Sequence, residues 1–328
     1  MTIKNKPFIS IITVNYREAA ATCDLLASIK KNSYCNLEVI VVDNGSLEDN
    51  RRLFGRAYPG VIVTRSIENL GFAGGNNLGI QQASGAFLFF VNNDTVFTEG
   101  LIENLLKAFD NPEVGVVSPK IKYFDQPDTI QYAGFTRINP LTGRNQLVGK
   151  GEKDEGQHDF AKPVPYAHGA AMMIRKRVIE KVGKMPEDYF LYYEELDWCE
   201  QIRAAGYTIF FEPKAVIFHK ESLAVGKESP LKVFYQNRNR IWYMKRNNHG
   251  INLLFFLLFL LFFTIPANMT LYILKGKFDL LTAFYRGVFE GLKGGGRQSL
   301  DGIRPILTFQ NRKVIDRLFS TKSLRNVK

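Results

Sequence analysis

Cysteine is scarce: Cys23, Cys35 and Cys199 are the only three in 328 residues. No two of them have metal-binding or redox spacing, and an odd number cannot pair off. A disulfide-stapled secreted fold is therefore excluded, and a reducing compartment is expected. A leader pattern is also missing. The first apolar run, Phe8–Val14, is too short for one and reads as a strand. The catalytic part is accordingly expected in the cytoplasm. No internal repeat occurs. Acidic residues are scarce at one end only. Residues 232–328 carry 17 basic and 4 acidic side chains, whereas residues 1–231 carry 26 and 28. The net charge of +11 thus belongs to the C-terminal part. A nucleic-acid enzyme would place such charge around its pocket, so no nucleic-acid partner is expected. A basic tail beside an apolar segment suits an anionic membrane surface.

What is present is an α/β pattern. Hydrophobic residues make up 45% of the chain, enough for a sizeable core. Strands are predicted at 8–14, 37–42, 61–64, 86–91 and 114–118, with helices at 18–31, 47–57 and 98–110 between them. Alternation with short loops predicts a mostly parallel, doubly wound sheet. Residues 120–165 carry no strong period and read as an irregular insertion over the sheet edge. Order returns with a strand at 170–174, a helix at 194–205 closed by Gly206, and strands at 208–211 and 215–218.

The run Phe87–Val91 predicts a strand buried on both faces, and it stops abruptly at Asn92-Asn93-Asp94. Polar groups at the carboxyl edge of such a sheet stand where ligands bind in open α/β folds. Asp94 is a candidate ligand for a divalent cation, or else a helix cap. Asp43 ends the second strand and can accept hydrogen bonds from a base or ribose; Asp43-Asn-Gly-Ser46 is also strong turn chemistry. The stretch Glu68–Asn77 is rich in glycine and amides, which lets backbone approach a ligand, yet it matches neither common phosphate-loop pattern. Tyr192-Tyr-Glu-Glu-Leu-Asp-Trp198 sets three carboxylates at a helix start, more than capping requires. His219 ends the last strand and is either structural or a ligand.

Residues 251–274 contain no charge, and about 20 such residues cross a bilayer core. Basic residues flank both ends (Arg238, Arg240, Lys245 and Arg246 before; Lys275, Lys277 and Arg286 after), which keeps both ends on one side of the membrane. A re-entrant or in-plane helical hairpin fits this better than a clean span; a buried core helix is the alternative. Residues 278–292 read as amphipathic, with Phe278, Leu281, Phe284, Tyr285 and Phe289 on one side.

Together the segments Val14-Asn-Tyr16, Val41–Ser46, Glu68–Asn77, Asn92-Asn-Asp94, His168-Gly-Ala-Ala171 and Glu194–Cys199 resemble glycosyltransferase family 2, the inverting enzymes of the GT-A fold, over roughly residues 8–245. The nearest likeness is to bacterial rhamnosyltransferase-like and galactofuranosyltransferase-like members. The resemblance implies donor-binding roles for Val14, Asn15, Asp43, Asn69, Gly71, Asn77, Asn92 and Asn93, with Asp43 toward the nucleobase. It implies a Mg²⁺ or Mn²⁺ site at Asp94, the last position of the family's Asp-x-Asp motif, completed by His219. Asn92 stands at that motif's first position. Glu195 falls where the family keeps its catalytic base, usually an Asp, with Glu194 as the second candidate. His168, Gly169 and Trp198 fall on the acceptor side.

The implied activity is transfer from a nucleotide-sugar donor, dTDP-rhamnose-like or a UDP-sugar. The acceptor would be a lipid-linked glycan in cell-surface polysaccharide synthesis, lying against residues 120–165 and 234–245 at the cytoplasmic membrane face. Residues 1–231 would form the catalytic domain, donor-binding over 1–119 and acceptor-binding over 120–231, and residues 232–328 a basic helical region. Oligomeric state is left open. The competing reading is a family-like fold without turnover that serves as a membrane-bound partner of another transferase. A nucleotidyltransferase would need a basic loop after the first strand, where only Arg17 stands.

Overall fold

The computed structural model describes residues 6–220 and 228–294. The C-terminal stretch 295–328 of the predicted basic region lies outside the described residues.

Strand β1 (Ile9–Asn15) is apolar on both faces and becomes the centre of a parallel layer. Helix α1 (Ala19–Lys30) follows, burying Leu25, Leu26 and Ile29. Then come β2 (Leu37–Asn44), α2 (Arg51–Ala57), β3 (Ile62–Ser66), α3 (Gly71–Ile80) and β4 (Phe87–Asn92). A short β5 (Thr95–Phe97) leads to α4 (Leu101–Ala108) and the long β6 (Val114–Tyr123). Short strands β7 (Ile130–Tyr132) and β8 (Lys162–Pro163) sit in the otherwise irregular insertion. Strand β9 (Ala171–Arg175), helices α5 (Lys176–Val182) and α6 (Glu194–Ala204), strand β10 (Thr208–His219) and helix α7 (Pro230–Asn247) follow. The sheet runs β3-β2-β1-β4-β9-β6-β10-β5.

The sheet is mostly parallel, as expected, with β9 entering between β4 and β6 antiparallel to both. One expectation is corrected. The two predicted strands at 208–211 and 215–218 are one strand, β10, with an irregularity between Glu212 and Val216. The Gly-rich stretch forms a helix from Gly71 onward. Its glycines bring helix against sheet: a Cβ on Gly75 would stand 2.8 Å from Val14 Cγ1, and one on Gly79 would strike Ile12.

The apolar segment is one helix, Gly250–Leu274, with a π-type widening at Leu260–Thr264 ahead of Pro266, and not a hairpin. It is not a core helix either: only Phe256, Leu260 and Tyr272 are buried, while Leu258, Leu261, Phe262 and Phe263 face outward. A last helix, Phe278–Lys293, packs on α7. Lys277 pairs with Glu228 just before α7, and Lys245 near its end donates to the Gly291 and Leu292 carbonyls. The last helix therefore runs parallel to α7, and the apolar helix between them returns along it.

The predicted amphipathic side of the last helix is rotated. Its buried face is Leu280, Ala283, Phe284, Gly287, Val288 and Gly291, because Gly287 and Gly291 let it close on the backbone of α7. Phe278, Tyr285 and Phe289 are exposed. The basic flank ahead of the apolar helix is also corrected. Arg238 and Arg240 are buried in α7, and Arg246 pairs with Asp188 and Asp197.

Candidate active site

The carboxyl ends of β1, β2 and β4 lie side by side, with Asn15 in register with Asp43 and Val14 with Asn92. Asn15 Nδ2 donates to Asp43 Oδ1 at 2.8 Å and to Ser46 Oγ at 3.2 Å, while its Oδ1 accepts from Thr22 Oγ1 at 2.9 Å. Asp43 is fully buried. Arg65 Nε stands 3.3 Å from its Oδ2, and that oxygen has no hydrogen bond. The Asp43 carboxylate is thus held in place with acceptor capacity unused.

Asn69 Oδ1 accepts from Asn44 Nδ2 at 3.0 Å and from the Gly71 amide at 2.9 Å, fixing the turn into α3. Gly71 has a φ of 74° and lies so close to the Phe190 carbonyl that no side chain fits. Asn77 is committed elsewhere. Its Nδ2 donates to the Met185 carbonyl and to Glu187 Oε1, both at 2.8 Å, and its Oδ1 accepts from the Met185 amide at 3.0 Å. It ties α3 to the loop before α6 and has no donor left to offer a ligand.

Asn93 Nδ2 donates to Thr22 Oγ1 at 3.1 Å, joining the same network as Asn15. Asp94 meets His219, with Oδ1 3.1 Å from Nε2, because β5 pairs antiparallel with the end of β10. His219 Nδ1 lies 2.8 Å from Gln131 Oε1. The Gln oxygen accepts from Nδ1, so Nε2 is the ring atom that faces Asp94 Oδ1 and Asn92 Nδ2. One carboxylate oxygen and one imidazole nitrogen thus face the same spot and could both serve as ligands of a divalent cation. Among the described residues no group of three or more His, Cys, Asp or Glu forms a metal cluster. A cation here would draw its remaining ligands from substrate. Glu18 is an electrostatic neighbour: burial, then the Asp94 charge, push its carboxyl up.

His168 connects this spot to the helix-start acids. Its ring stacks on Phe135 at 5.6 Å and meets His219 edge-on at 6.4 Å, and its Nδ1 accepts from the Ala170 amide at 3.0 Å. Burial, then the charges of His219 and Lys150, lower it to about 3, so it is a neutral acceptor. Gly169 follows, and a Cβ there would stand 3.7 Å from Glu195 Cγ.

Glu195 opens α6 with its Oε2 buried and unpartnered. Burial raises its carboxyl to about 7, against which its own amide and that of Leu196 pull back. Glu194 is 3% exposed, and burial, then the charge of Glu195, raise it well above the carboxylate range. Trp198 is corrected. It is a core residue, its indole donating to the Gly183 carbonyl at 3.0 Å and its ring edge-on to Phe90, so it cannot face an acceptor.

The backbone leading to these acids is strained. Phe190, Tyr192 and Tyr193 all have positive φ, 65°, 70° and 76°. Asn239 holds it: its buried Nδ2 donates to the carbonyls of Tyr189, Leu191 and Tyr192 at 2.8–2.9 Å. Arg238 adds a bond to the Tyr189 carbonyl at 2.8 Å while stacked on Trp242. Neither Asn239 nor Gln131 carries a local sequence signal, since each acts on a segment far away in the chain.

The sequence matches the profile "Glycosyl transferase family 2" over residues 10–183, just over half the chain. An N-acetylglucosaminyl-diphospho-decaprenol L-rhamnosyltransferase of Mycobacterium tuberculosis is 24% identical over 239 residues, 66% of this chain and 78% of that protein. A dTDP-rhamnosyl transferase of Shigella flexneri is 24% identical over 247 residues, 70% and 78% of the two chains. An uncharacterized protein of Sinorhizobium fredii is 29% identical over 225 residues, 66% of this chain, which spans only 24% of that longer protein. Among solved structures, a mannosyltransferase of Pyrobaculum calidifontis in complex with GDP-Man and Mn²⁺ superposes with a TM-score of 0.55 at 16% identity, covering 96% of this chain and 86% of that one. The fold is GT-A, and the chain belongs to glycosyltransferase family 2.

Proposed function

We propose that the protein is an inverting, metal-dependent transferase that moves a sugar from a nucleotide diphosphate to a hydroxyl of a lipid-linked glycan at the cytoplasmic face of a membrane. The observation that carries this is the placing of the Asp94–His219 pair, then His168 beside His219, then Gly169 near Glu195, whose Oε2 is buried without a hydrogen bond.

Asp94 and His219 would hold a divalent cation, which when bound supplies positive charge to the diphosphate leaving group. The Asp43–Asn15–Ser46 network holds the nucleoside end. Glu195 takes the proton of the acceptor hydroxyl. The oxygen then attacks the anomeric carbon from the face opposite the nucleotide, the bond to the diphosphate breaks, and configuration inverts. A carboxyl raised to about 7 suits a general base near neutral pH. Glu195 is favoured over Glu194 because it is half-buried and beside Gly169, whereas Glu194 is enclosed.

The rhamnosyl donors named for two relatives favour a dTDP-linked deoxysugar, and the decaprenol acceptor named for one of them favours a lipid carrier. Residues 1–231 take the catalytic role, 1–119 for donor and 120–231 for acceptor and base, and residues 232–328 the membrane. The outward apolar side chains of Gly250–Leu274 support membrane contact. Both ends of that helix are tied to the ends of α7, which favours an in-plane position over a span. Purified protein given dTDP-rhamnose, UDP-sugars and a polyprenyl-diphosphate glycan tests this. Transfer lost in Asp94→Ala and Glu195→Gln supports it; transfer unaffected by both substitutions refutes it.

A further inference from the structure

A cavity of about 940 Å³ lies between the 136–146 loop, α7 and the apolar helix. Three of its lining residues are Arg137, Arg144 and Arg240, and none is acidic. None of the three arginines forms a salt bridge among the described residues. Arg240 is 3% exposed; its guanidinium has one hydrogen bond, to Asn237 Oδ1 at 2.9 Å, and its Nε has no partner. Asn145 Nδ2, also in the lining, is buried and unpartnered. A buried guanidinium without a counter-ion is costly, and it stands where an anion would pair with it. Burial, and the nearby Arg144 charge, lower Arg240 to about 10.

The cavity's other wall is apolar. Phe259 and Phe263 stack at 5.3 Å on the helix whose outward face is hydrocarbon-like, and Phe263 is exposed. Positive charge and membrane-type surface therefore share one opening. The cavity is also coupled to the catalytic acids. Tyr193, one residue before Glu194, donates through its hydroxyl to the Gly143 carbonyl at 2.8 Å, and Gly143 packs on Arg240. The Tyr193 phenol feels the charges of Arg240, Arg144 and Glu195 together.

We propose that Arg137, Arg144 and Arg240 bind the phosphate or diphosphate headgroup of the lipid-linked acceptor, with its hydrocarbon chain along Phe259 and Phe263. The sugar beyond the headgroup then reaches Glu195 past Tyr193. This rests on the reading of the acceptor as lipid-linked, and it names the group that the enzyme grips.

The test uses the full chain and phosphatidylcholine vesicles with or without polyprenyl diphosphate, read by flotation at fixed salt. Doping should raise binding to wild type, and Arg144→Ala and Arg137→Ala should each lower that increment about fivefold. Both sites are exposed, so the variants should fold, and neither should change binding to undoped vesicles. Arg240→Lys should also lower the increment, because a point charge does not replace a fork. An increment unchanged in the Arg144→Ala/Arg137→Ala double variant overturns the proposal. So does an absent increment in wild type that still shows metal-dependent stabilisation by a donor nucleotide, a result that leaves the transferase reading standing. If no donor nucleotide stabilises the protein, the transferase reading itself fails. Free pyrophosphate that protects the arginines in the absence of vesicles, without competing against doped ones, assigns the cavity to a soluble anion and overturns the lipid source.

Discussion

At the scale of single residues, Glu195 and Glu194 set the pH behaviour. Burial raises Glu195 from an ordinary 4.5 to about 7, so the group gains its base form as pH rises through that value. With Glu195 as base, kcat/KM should climb between about pH 6 and 8 and level off above; a profile flat across that window would remove Glu195 from the role. Replacing it by Gln should lower kcat by about 10²–10⁴-fold.

The same shift has a stability consequence of opposite sense. Between the unfolded and folded values, the folded chain keeps a proton that the unfolded chain has released, so stability falls as pH rises through that window. At neutral pH the charged Glu195 is a net cost, and Glu195→Gln should raise thermal stability by about 1–3 kcal/mol while abolishing transfer. A lower melting temperature for Glu195→Gln at pH 7.5 would show that its carboxylate is paired in solution.

At the scale of elements, the loop before α6 stores strain at three non-glycine positive-φ residues, and α7 holds it through Asn239. Asn239→Ala leaves buried carbonyls unpaired and should cost about 2 kcal/mol or more in denaturant unfolding. It should lower kcat beyond what lost folded population explains, because Glu195 begins the helix that this loop positions. Normal activity per folded molecule would confine Asn239 to stability.

Elements whose signal is local were legible in the sequence. The Phe87–Val91 run, the Asp43 strand end and the acidic opening of α6 stand where pattern and composition put them. The position of β9 was not legible, because order within a sheet depends on contacts between distant segments. The glycines of Gly71–Ile80 lower helix propensity but permit packing on β1. Trp198 misled because it is close to the candidate acids Glu194 and Glu195 in sequence yet turned by the helical period into the core. Arg238 and Arg240 read as membrane-flanking charge because burial of a cation, for Arg238 against aromatic rings, leaves no local mark.

At the scale of the whole molecule, the carboxyl edge of the sheet carries the candidate site, and the helices Gly250–Leu274 and Phe278–Lys293 beside α7 expose apolar side chains. The apolar helix returns along α7 with Leu261 and Phe262 outward. A Leu261→Asp/Phe262→Asp double variant should reduce vesicle binding about tenfold or more, while leaving stabilisation by nucleotide unchanged. Unchanged vesicle binding would place the membrane contact on another face.

The measurement that tests the central claim most directly is thermal stabilisation by UDP, dTDP, GDP and CMP, with and without Mn²⁺, on wild type, Asp94→Ala and Glu195→Gln. One nucleotide, dTDP on the present reading, should stabilise wild type only with Mn²⁺. Asp94→Ala should lose that response and Glu195→Gln should keep it, separating metal-assisted donor binding from proton transfer. Equal stabilisation of Asp94→Ala and wild type, or stabilisation indifferent to Mn²⁺, would contradict a metal-assisted donor site at the Asp94–His219 pair.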